Sequence, residues 1–246
     1  MIVAVGGDGT LNEVASGFFE GSTAIAPEAV LGVIAVGTGS DFGRTIGQTD
    51  LQSVCAGLGG RNTRTIDVGF ARFSNHAGTA ATRIFINVAS FGIGGSVTRL
   101  VSPRLKALNG RTAFALATLR ALSLYRDQVV SLQIDDDLPR SLAITNCAFG
   151  NGRFFGAGMQ VAPAAQLDDG QFDVTIWSGF TLMDFIFKRH MLYDGGHVRL
   201  PGTETRRARR ASATGDGTVL LEIDGESVGR LPVQLEILPA AMRLKV

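Results

Sequence analysis

Several kinds of chemistry are excluded by what this chain has little of. Two cysteines in 246 residues, Cys55 and Cys147, cannot build a disulfide framework, and neither has metal-thiolate spacing. Both read as buried free thiols of a reducing compartment. The three histidines, His76, His190 and His197, fall in a polar loop, a helix and a glycine turn, so no Ser-His-Asp or Cys-His constellation presents itself. Apolar runs are short. Residues 172–187 contain Asp173 and Asp184, and residues 112–124 contain Arg120, which excludes a transmembrane helix. No basic leader precedes an apolar segment, so no signal peptide is read. A formal net charge of +1 excludes a nucleic-acid binder that works by bulk electrostatics. The expectation is a cytoplasmic protein that touches a membrane only from the side, peripherally at its inner face.

Glycine is what the chain has in excess: 32 residues, clustered but not repeating, against only 7 prolines. That pattern predicts tight turns and loops where backbone approaches a ligand. Residues 1–5 read as a continuously apolar strand, of the kind buried on both faces in the middle of a parallel sheet. Gly6-Gly7-Asp8-Gly9-Thr10 follows and runs into Leu11, Val14, Ala15 and Phe18 at helical spacing, with Thr10 and Glu13 placed as a capping box. A second strand, residues 31–36, ends in Gly37-Thr38-Gly39-Ser40-Asp41-Phe42, and residues 48–57 form a short helix with Asp50 near its start. This alternation is the grammar of an α/β nucleotide-binding unit.

From Arg64 the grammar changes. Residues 65–70, 84–90, 129–134, 142–149, 172–177, 219–223 and 233–238 read as strands, interrupted by helices over residues 112–124 and 181–192, the latter capped by Thr181 and Asp184. Many short strands between turn signals predict a β-sandwich. Residues 206–217, basic and then small and polar, read as a surface loop. The boundary falls near Gly59-Gly60-Arg61-Asn62. It divides a partial α/β domain, residues 1–62, from a β-sandwich domain, residues 63–238.

Four constellations carry chemistry. A glycine turn between strand and helix presents successive backbone N–H groups to a phosphate, with the helix dipole assisting. Asp8 is out of place in such a cradle unless Mg²⁺ bridges it to the ligand or it orients another loop. Neither a Walker A lysine nor a Gly-x-Gly-x-x-Gly follows the first strand. The second turn, from Gly37 to Asp41, would converge with the first on one crevice. Asp168-Asp169-Gly170 is either an ordinary Asp-Gly turn or an oxygen-rich cation loop. In Glu222-Ile223-Asp224-Gly225-Glu226, the carboxylates of Asp224 and Glu226 project from a strand end on one face, as a metal site, as a base with its tuner, or as part of a plain turn.

Together, the segments Gly6 to Val14, Gly37 to Phe42, Gly156 to Asp173 and Ile223 to Glu226 resemble, in order and over almost the whole chain, the diacylglycerol kinase catalytic-domain family of bacterial soluble lipid kinases. The first motif alone is shared with NAD kinases and sphingoid-base kinases. The resemblance implies a truncated Rossmann-like α/β domain followed by a β-sandwich, with residues 239–246 returning to the first domain. It implies ATP phosphates cradled by Gly6, Gly7, Asp8, Gly9, Thr10, Leu11 and Asn12, with Thr38 and Asp41 on the second loop. It further implies a structural Mg²⁺ held by Asp169 and the carbonyls of Gln166 and Gln171, and Asp224 as general base supported by Glu226. The partners implied are ATP and a lipid at a membrane surface, with no nucleic acid; a homodimer is left open. Such kinases begin with further strands and an Asn-Pro turn before the first motif seen here, so the nucleotide domain reads as shortened at its start. Ala35 and Ser40 stand where proline and asparagine are common. The readings in competition are an NAD kinase-like enzyme and a non-catalytic nucleotide- or lipid-binding remnant.

Overall fold

The computed structural model describes residues 1–37, 39–48, 50–100 and 110–246. The nucleotide-type unit comprises β1 (Ile2–Gly6), α1 (Asp8–Ser16), a small hairpin of β2 (Phe19–Glu20) and β3 (Thr23–Ala24), β4 (Val30–Ala35), α2 (Asp41–Thr45) and α3 (Leu51–Gly59). β1 and β4 pair in parallel, Ile2 beside Leu31 through Gly6 beside Ala35, so both glycine turns leave the same end of the sheet. Asp50 caps α3, its carboxylate accepting from the Ser53 N–H at 2.8 Å.

β1 departs from its expected place. Only Ala4 is buried; Met1, Ile2, Val3 and Val5 are exposed, because β4 is its one strand partner among the described residues. An unbroken apolar run does not by itself say how many neighbours a strand has. Cys55 is a second departure: it is exposed on α3, whereas Cys147 is fully buried.

The larger unit is built from β5 (Thr63–Asn75), β6 (Ala80–Phe85), β7 (Val88–Gly92), α4 (Ile93–Leu100), α5 (Gly110–Leu124), β8 (Gln128–Ile134), β9 (Arg140–Ile144), β10 (Asn146–Gly150), β11 (Phe172–Trp177), α6 (Leu182–Tyr193), β12 (Thr203–Ala208), β13 (Arg210–Thr214), β14 (Leu220–Ile223) and β15 (Glu226–Lys245). α6 carries the expected box: Thr181 and Asp184 bond reciprocally at its start. The antiparallel sheet runs β12-β11-β10-β7-β14-β15-β13-β8-β9. It wraps one core, since inward side chains from strands as distant as β8 and β11 share a cluster. At its centre Phe85 stacks on Phe172 at 5.4 Å and Phe149 meets Phe172 edge-on at 6.2 Å. Each fully buried aromatic contributes about 2–3 kcal/mol of apolar burial.

Residues 206–217 are not one loop. They contain the end of β12 and all of β13, which alternate small buried residues (Ala208, Ala211, Ala213) with outward arginines. Alanine is a weak strand signal, so the run reads as polar and irregular until its ion pairs are seen: Arg206 with Asp137, Arg207 with Asp169 and Arg210 with Asp136.

β15 joins the two units. Its middle alternates buried Leu231, Val233, Leu235 and Ile237 with exposed residues, in the sandwich. Its end lies parallel to β4, Arg243 beside Val30 and Leu244 beside Leu31, and inserts Met242 and Leu244 into the core under α1.

Candidate active site

Helix α1 begins at Asp8, three residues earlier than a capping box with Thr10 as N-cap predicts. Gly7 is the extended N-cap, without a side-chain cap, and the first bond to it comes from the Leu11 N–H to the Gly7 carbonyl at 3.0 Å. The Thr10–Glu13 box is therefore absent, and the N–H groups of Asp8, Gly9 and Thr10 precede the first intrahelical bond. Free N–H groups at the head of a helix attract an anion. Leu11 and Asn12 turn away from that opening. Leu11 packs into the core and Asn12 is fully buried.

The two glycine turns touch. A Cβ on Gly37 would lie 2.5 Å from the Gly7 Cα. Asp8 orients the second turn: its carboxylate accepts from the N–H groups of Asp41 at 3.2 Å and Phe42 at 3.1 Å. Asp41 is buried and accepts from the Ala157 N–H at 2.9 Å, which ties the second turn to the segment after β10. Burial first, then the charge of Asp8, pushes the Asp41 carboxyl up to about 6, against the opposing Ala157 N–H and Arg44. Ser40 has a left-handed backbone (φ 50°), a conformation that asparagine tolerates better than serine. Thr38 lies outside the described residues.

At the other end of the site, Asp224 and Gly225 form the left-handed turn (φ 45° and 84°) between β14 and β15. The expected strand over residues 84–90 is broken there into β6 and β7, and Asp224 fills the break. Oδ2 accepts from Ile86 N at 3.0 Å and Asn12 Nδ2 at 2.8 Å; Oδ1 accepts from Asn87 N at 3.1 Å and Val88 N at 2.9 Å. Burial pushes the carboxyl up to about 6, outweighing those four donors. Asp224 and Glu226 do not form the paired face predicted for them. Asp224 sits beneath α1, while Glu226 stands at the rim, its Oε1 3.1 Å from where a Cβ on Gly9 would be. Asn12 and Arg83 link them: Arg83 Nε donates to Asn12 Oδ1 at 2.8 Å and Nη2 to Glu226 Oε2 at 2.6 Å.

Glu222 is a third carboxylate here, buried two residues before Asp224. Its Oε1 accepts from the Gly225 N–H at 2.6 Å and its Oε2 from the Ser90 hydroxyl at 2.7 Å. Burial, with the charges of Asp224 and Asp41 adding to it, raises this carboxyl to about 7. A folded-state value above the ordinary 4.5 means the fold holds the proton more tightly than the unfolded chain does. The stabilisation is present below about pH 4 and is lost as pH rises through 7. Glu222→Gln keeps both bonds, with the amide donating to Ser90 and accepting from Gly225. The variant is expected to melt higher than the parent at pH 8, with a smaller difference at pH 5, in thermal denaturation at the two pH values. An equal change at both would show that Glu222 is not protonated on folding.

Asp169 does not stand ready for a cation. Its Oδ1 accepts from the Gln171 N–H at 3.1 Å and its Oδ2 is ion-paired with Arg207. A hard dication takes six or more oxygen ligands. Here one carboxylate is already neutralised, Gln166 is exposed, and among the described residues no group of three Asp, Glu, His or Cys converges. Asp169 is the one acid of the expected set, and a cation there would take the place of Arg207. The loop is held instead by Asp67, which accepts from the N–H groups of Gly170 at 2.6 Å and Ala240 at 2.7 Å, and by the Arg64–Asp168 pair at 2.7 Å.

An apolar cleft of about 570 Å³, counting the part open to solvent, lies between the sandwich and the helices. Ile93 and Val97 of α4, Leu122 of α5, Phe185 and Leu192 of α6, and Trp177 line it. Gly94 and Asn146 also line it, and a Cβ on Gly94 would come within 3.7 Å of Glu222 Oε2. The cleft therefore adjoins the strand that leads to Asp224.

Sequence reasoning missed Arg83, Asp67 and this cleft, and named Glu222 without giving it a role. One signal was available, a glutamate two residues before Asp224; Arg83 falls just before the strand read over residues 84–90, and nothing local marks it.

A parallel βα unit with touching glycine turns, joined through its last strand to a sandwich that contributes carboxylates, defines a two-part kinase fold. Two family models match: the diacylglycerol kinase catalytic domain over residues 1–71, and the YegS C-terminal NAD kinase beta sandwich-like domain over residues 87–246. The chain belongs to the diacylglycerol kinase/YegS lipid kinase family. It is 30% identical over 243 residues to the diacylglycerol kinase of Bacillus subtilis (strain 168), covering 94% of this chain and 73% of that one. It is 27% identical to the probable lipid kinase YegS-like protein of Klebsiella pneumoniae (strain 342), covering all of this chain and 77% of that one. Among solved structures, a diacylglycerol kinase from Bacillus anthracis str. Sterne superposes with a TM-score of 0.72 at 20% identity, over 99% of this chain and 76% of that one. Yeast NADH kinase shares the fold more distantly, with a TM-score of 0.51 at 10% identity, over 98% of this chain and 59% of that one.

Proposed function

We propose that the chain transfers the γ-phosphate of MgATP to the hydroxyl of a lipid, diacylglycerol-like or sphingoid-like. The observation that carries this reading is the apolar cleft adjoining Glu222, on the strand that leads to Asp224. The ATP phosphates lie against the N–H groups that open α1, with the second turn held in place by Asp8. Mg²⁺ arrives with ATP as part of the substrate. The acceptor oxygen bonds to the γ-phosphorus, the bond to the β,γ-bridging oxygen breaks, ADP leaves with that electron pair, and the hydroxyl proton passes to Asp224. For that, Oδ2 must be released by one donor. The Asn12 amide is the only one of the four on a side chain, so its bond to Oδ2 is the one that lengthens, while Asn12 Oδ1 keeps its bond from Arg83 Nε.

The acceptor enters from a bilayer. On α6, Met183, Ile186 and Phe187 form an exposed stripe beside exposed Arg189, on the helix whose Phe185 and Leu192 line the cleft. No helix among the described residues is long and apolar enough to cross a membrane. Incubation with labelled ATP and vesicles containing diacylglycerol or a sphingoid base, with NAD in a parallel reaction, tests the assignment. Label is expected in lipid and not in NAD; label in NAD alone would move the chain to the NAD kinase reading.

A further inference from the structure

We propose that Arg83 is the cation that binds the γ-phosphate and carries its charge during transfer. The inference rests on the nucleotide half of the reading above. A phosphate cradle made only of backbone N–H groups has no charge of its own to set against a triphosphate, and this one has two carboxylates beside it, Asp8 and Glu226. The glycine turn from Gly6 to Asn12 contains no lysine or arginine. Beyond the Mg²⁺ that arrives with ATP, any further compensating cation has to come from elsewhere in the fold.

Among the described residues, two arginines are bonded to residues beside the cradle. Arg44 is spent on the second turn, its Nη1 donating to the Gly39 carbonyl and to Asp41 Oδ1. Arg83 is held differently. Nε is fixed by Asn12 and one Nη2 proton by Glu226, while Nη1 has no hydrogen-bond partner among the described residues. The Arg83 side chain keeps 22% of its surface exposed, so it is neither sealed in the core nor free in solvent. Its position follows from its partners. Glu226 Oε2 holds the guanidinium and Oε1 of the same carboxylate lies beside Gly9, in the first turn of α1. A planar guanidinium clamped on two edges presents its third to an anion with little reorganisation, and rigid donors of this kind act most strongly on charge that develops during reaction. Glu226 then acts as a positioning residue for Arg83, which accounts for a carboxylate being tolerated next to phosphates.

Calorimetric titration of the full chain with MgATP and MgADP separates this role from a structural one. The parent is expected to bind ATP more tightly than ADP. Arg83→Met should lose roughly tenfold or more in ATP affinity, the worth of a charge-assisted bond, with ADP affinity changed by less than about twofold. In the labelled-lipid assay kcat should fall about 10²–10³-fold, and Arg83→Lys should recover only part of it. If Arg83→Met melts well below the parent, Arg83→Lys carries the ATP-against-ADP comparison. An undiminished preference for ATP in the variants, equal losses for both nucleotides, or no preference in the parent overturns the assignment. A parent that prefers ATP through Arg83 yet labels no lipid upholds it, and refutes the lipid acceptor alone.

Discussion

Asp224→Asn is expected to lower lipid phosphorylation about a thousandfold while leaving MgATP binding in place. Asp224 lies beneath α1, away from the N–H groups that open the helix, so nucleotide affinity does not depend on its charge. Proton removal does. With a carboxyl raised to about 6, the base is ionised at neutral pH and becomes protonated as pH falls through 6, so kcat/KM of the parent should drop on that acid limb. The limb should be missing from the residual activity of the variant. The substitution also has a structural cost, because the new amide turns an NH₂ toward one pair of the four donors that now meet the carboxylate. Each N–H left unpaired costs about 1–3 kcal/mol, partly offset by the removal of a buried charge. Melting temperature therefore has to be read beside kcat. Full turnover in a folded Asp224→Asn protein would remove Asp224 from the chemistry and leave Glu226, the half-buried carboxylate at the rim, as the proton acceptor.

Gly37→Ala should abolish tight ATP binding through one methyl group. That methyl would stand 2.5 Å from the Gly7 Cα and 3.2 Å from the Gly7 nitrogen, both main-chain atoms that no rotamer change can move. The two turns must separate by an ångström or more. The separation strains the bonds from Asp8 to the Asp41 and Phe42 N–H groups and displaces the head of α1. Misplacement on this scale costs about a hundredfold where geometry governs binding and catalysis. Gly59→Ala is the control. It lies at the end of α3 with nothing within 4 Å of the added carbon, so it should leave ATP affinity unchanged and the helix slightly steadier. Similar affinities in the two variants would mean that the contact between the turns does not shape the nucleotide site.

Much of the fold was legible. The helical spacing after Gly9, the Thr181–Asp184 box and the strand over residues 172–177 depend on neighbours a few residues apart and are found in the structure, while the helix read over residues 48–57 runs from Leu51 to Gly59 with Asp50 as its cap. Errors arose where the deciding partner is distant. Residues 206–217 read as a loop because their charges face acids more than thirty positions away in sequence. Residues 84–90 read as one strand because nothing local shows that Asp224, over a hundred residues on, will take the N–H groups of Ile86, Asn87 and Val88.

The site divides the same way. By itself the sequence determined that two glycine turns follow two strands and that acids cluster from Glu222 to Glu226, since residue type and spacing are enough to specify a turn or a strand end. Only the tertiary structure decided what those groups do. It set Asp8 to hold the second turn, neutralised Asp169 with Arg207, sealed Asp224 beneath Asn12, and stood Arg83 between Asn12 and Glu226. The physical reason is that a carboxylate's role depends on which donors and charges surround it and how much water it has lost, and here those surroundings are assembled from strands far apart in the chain.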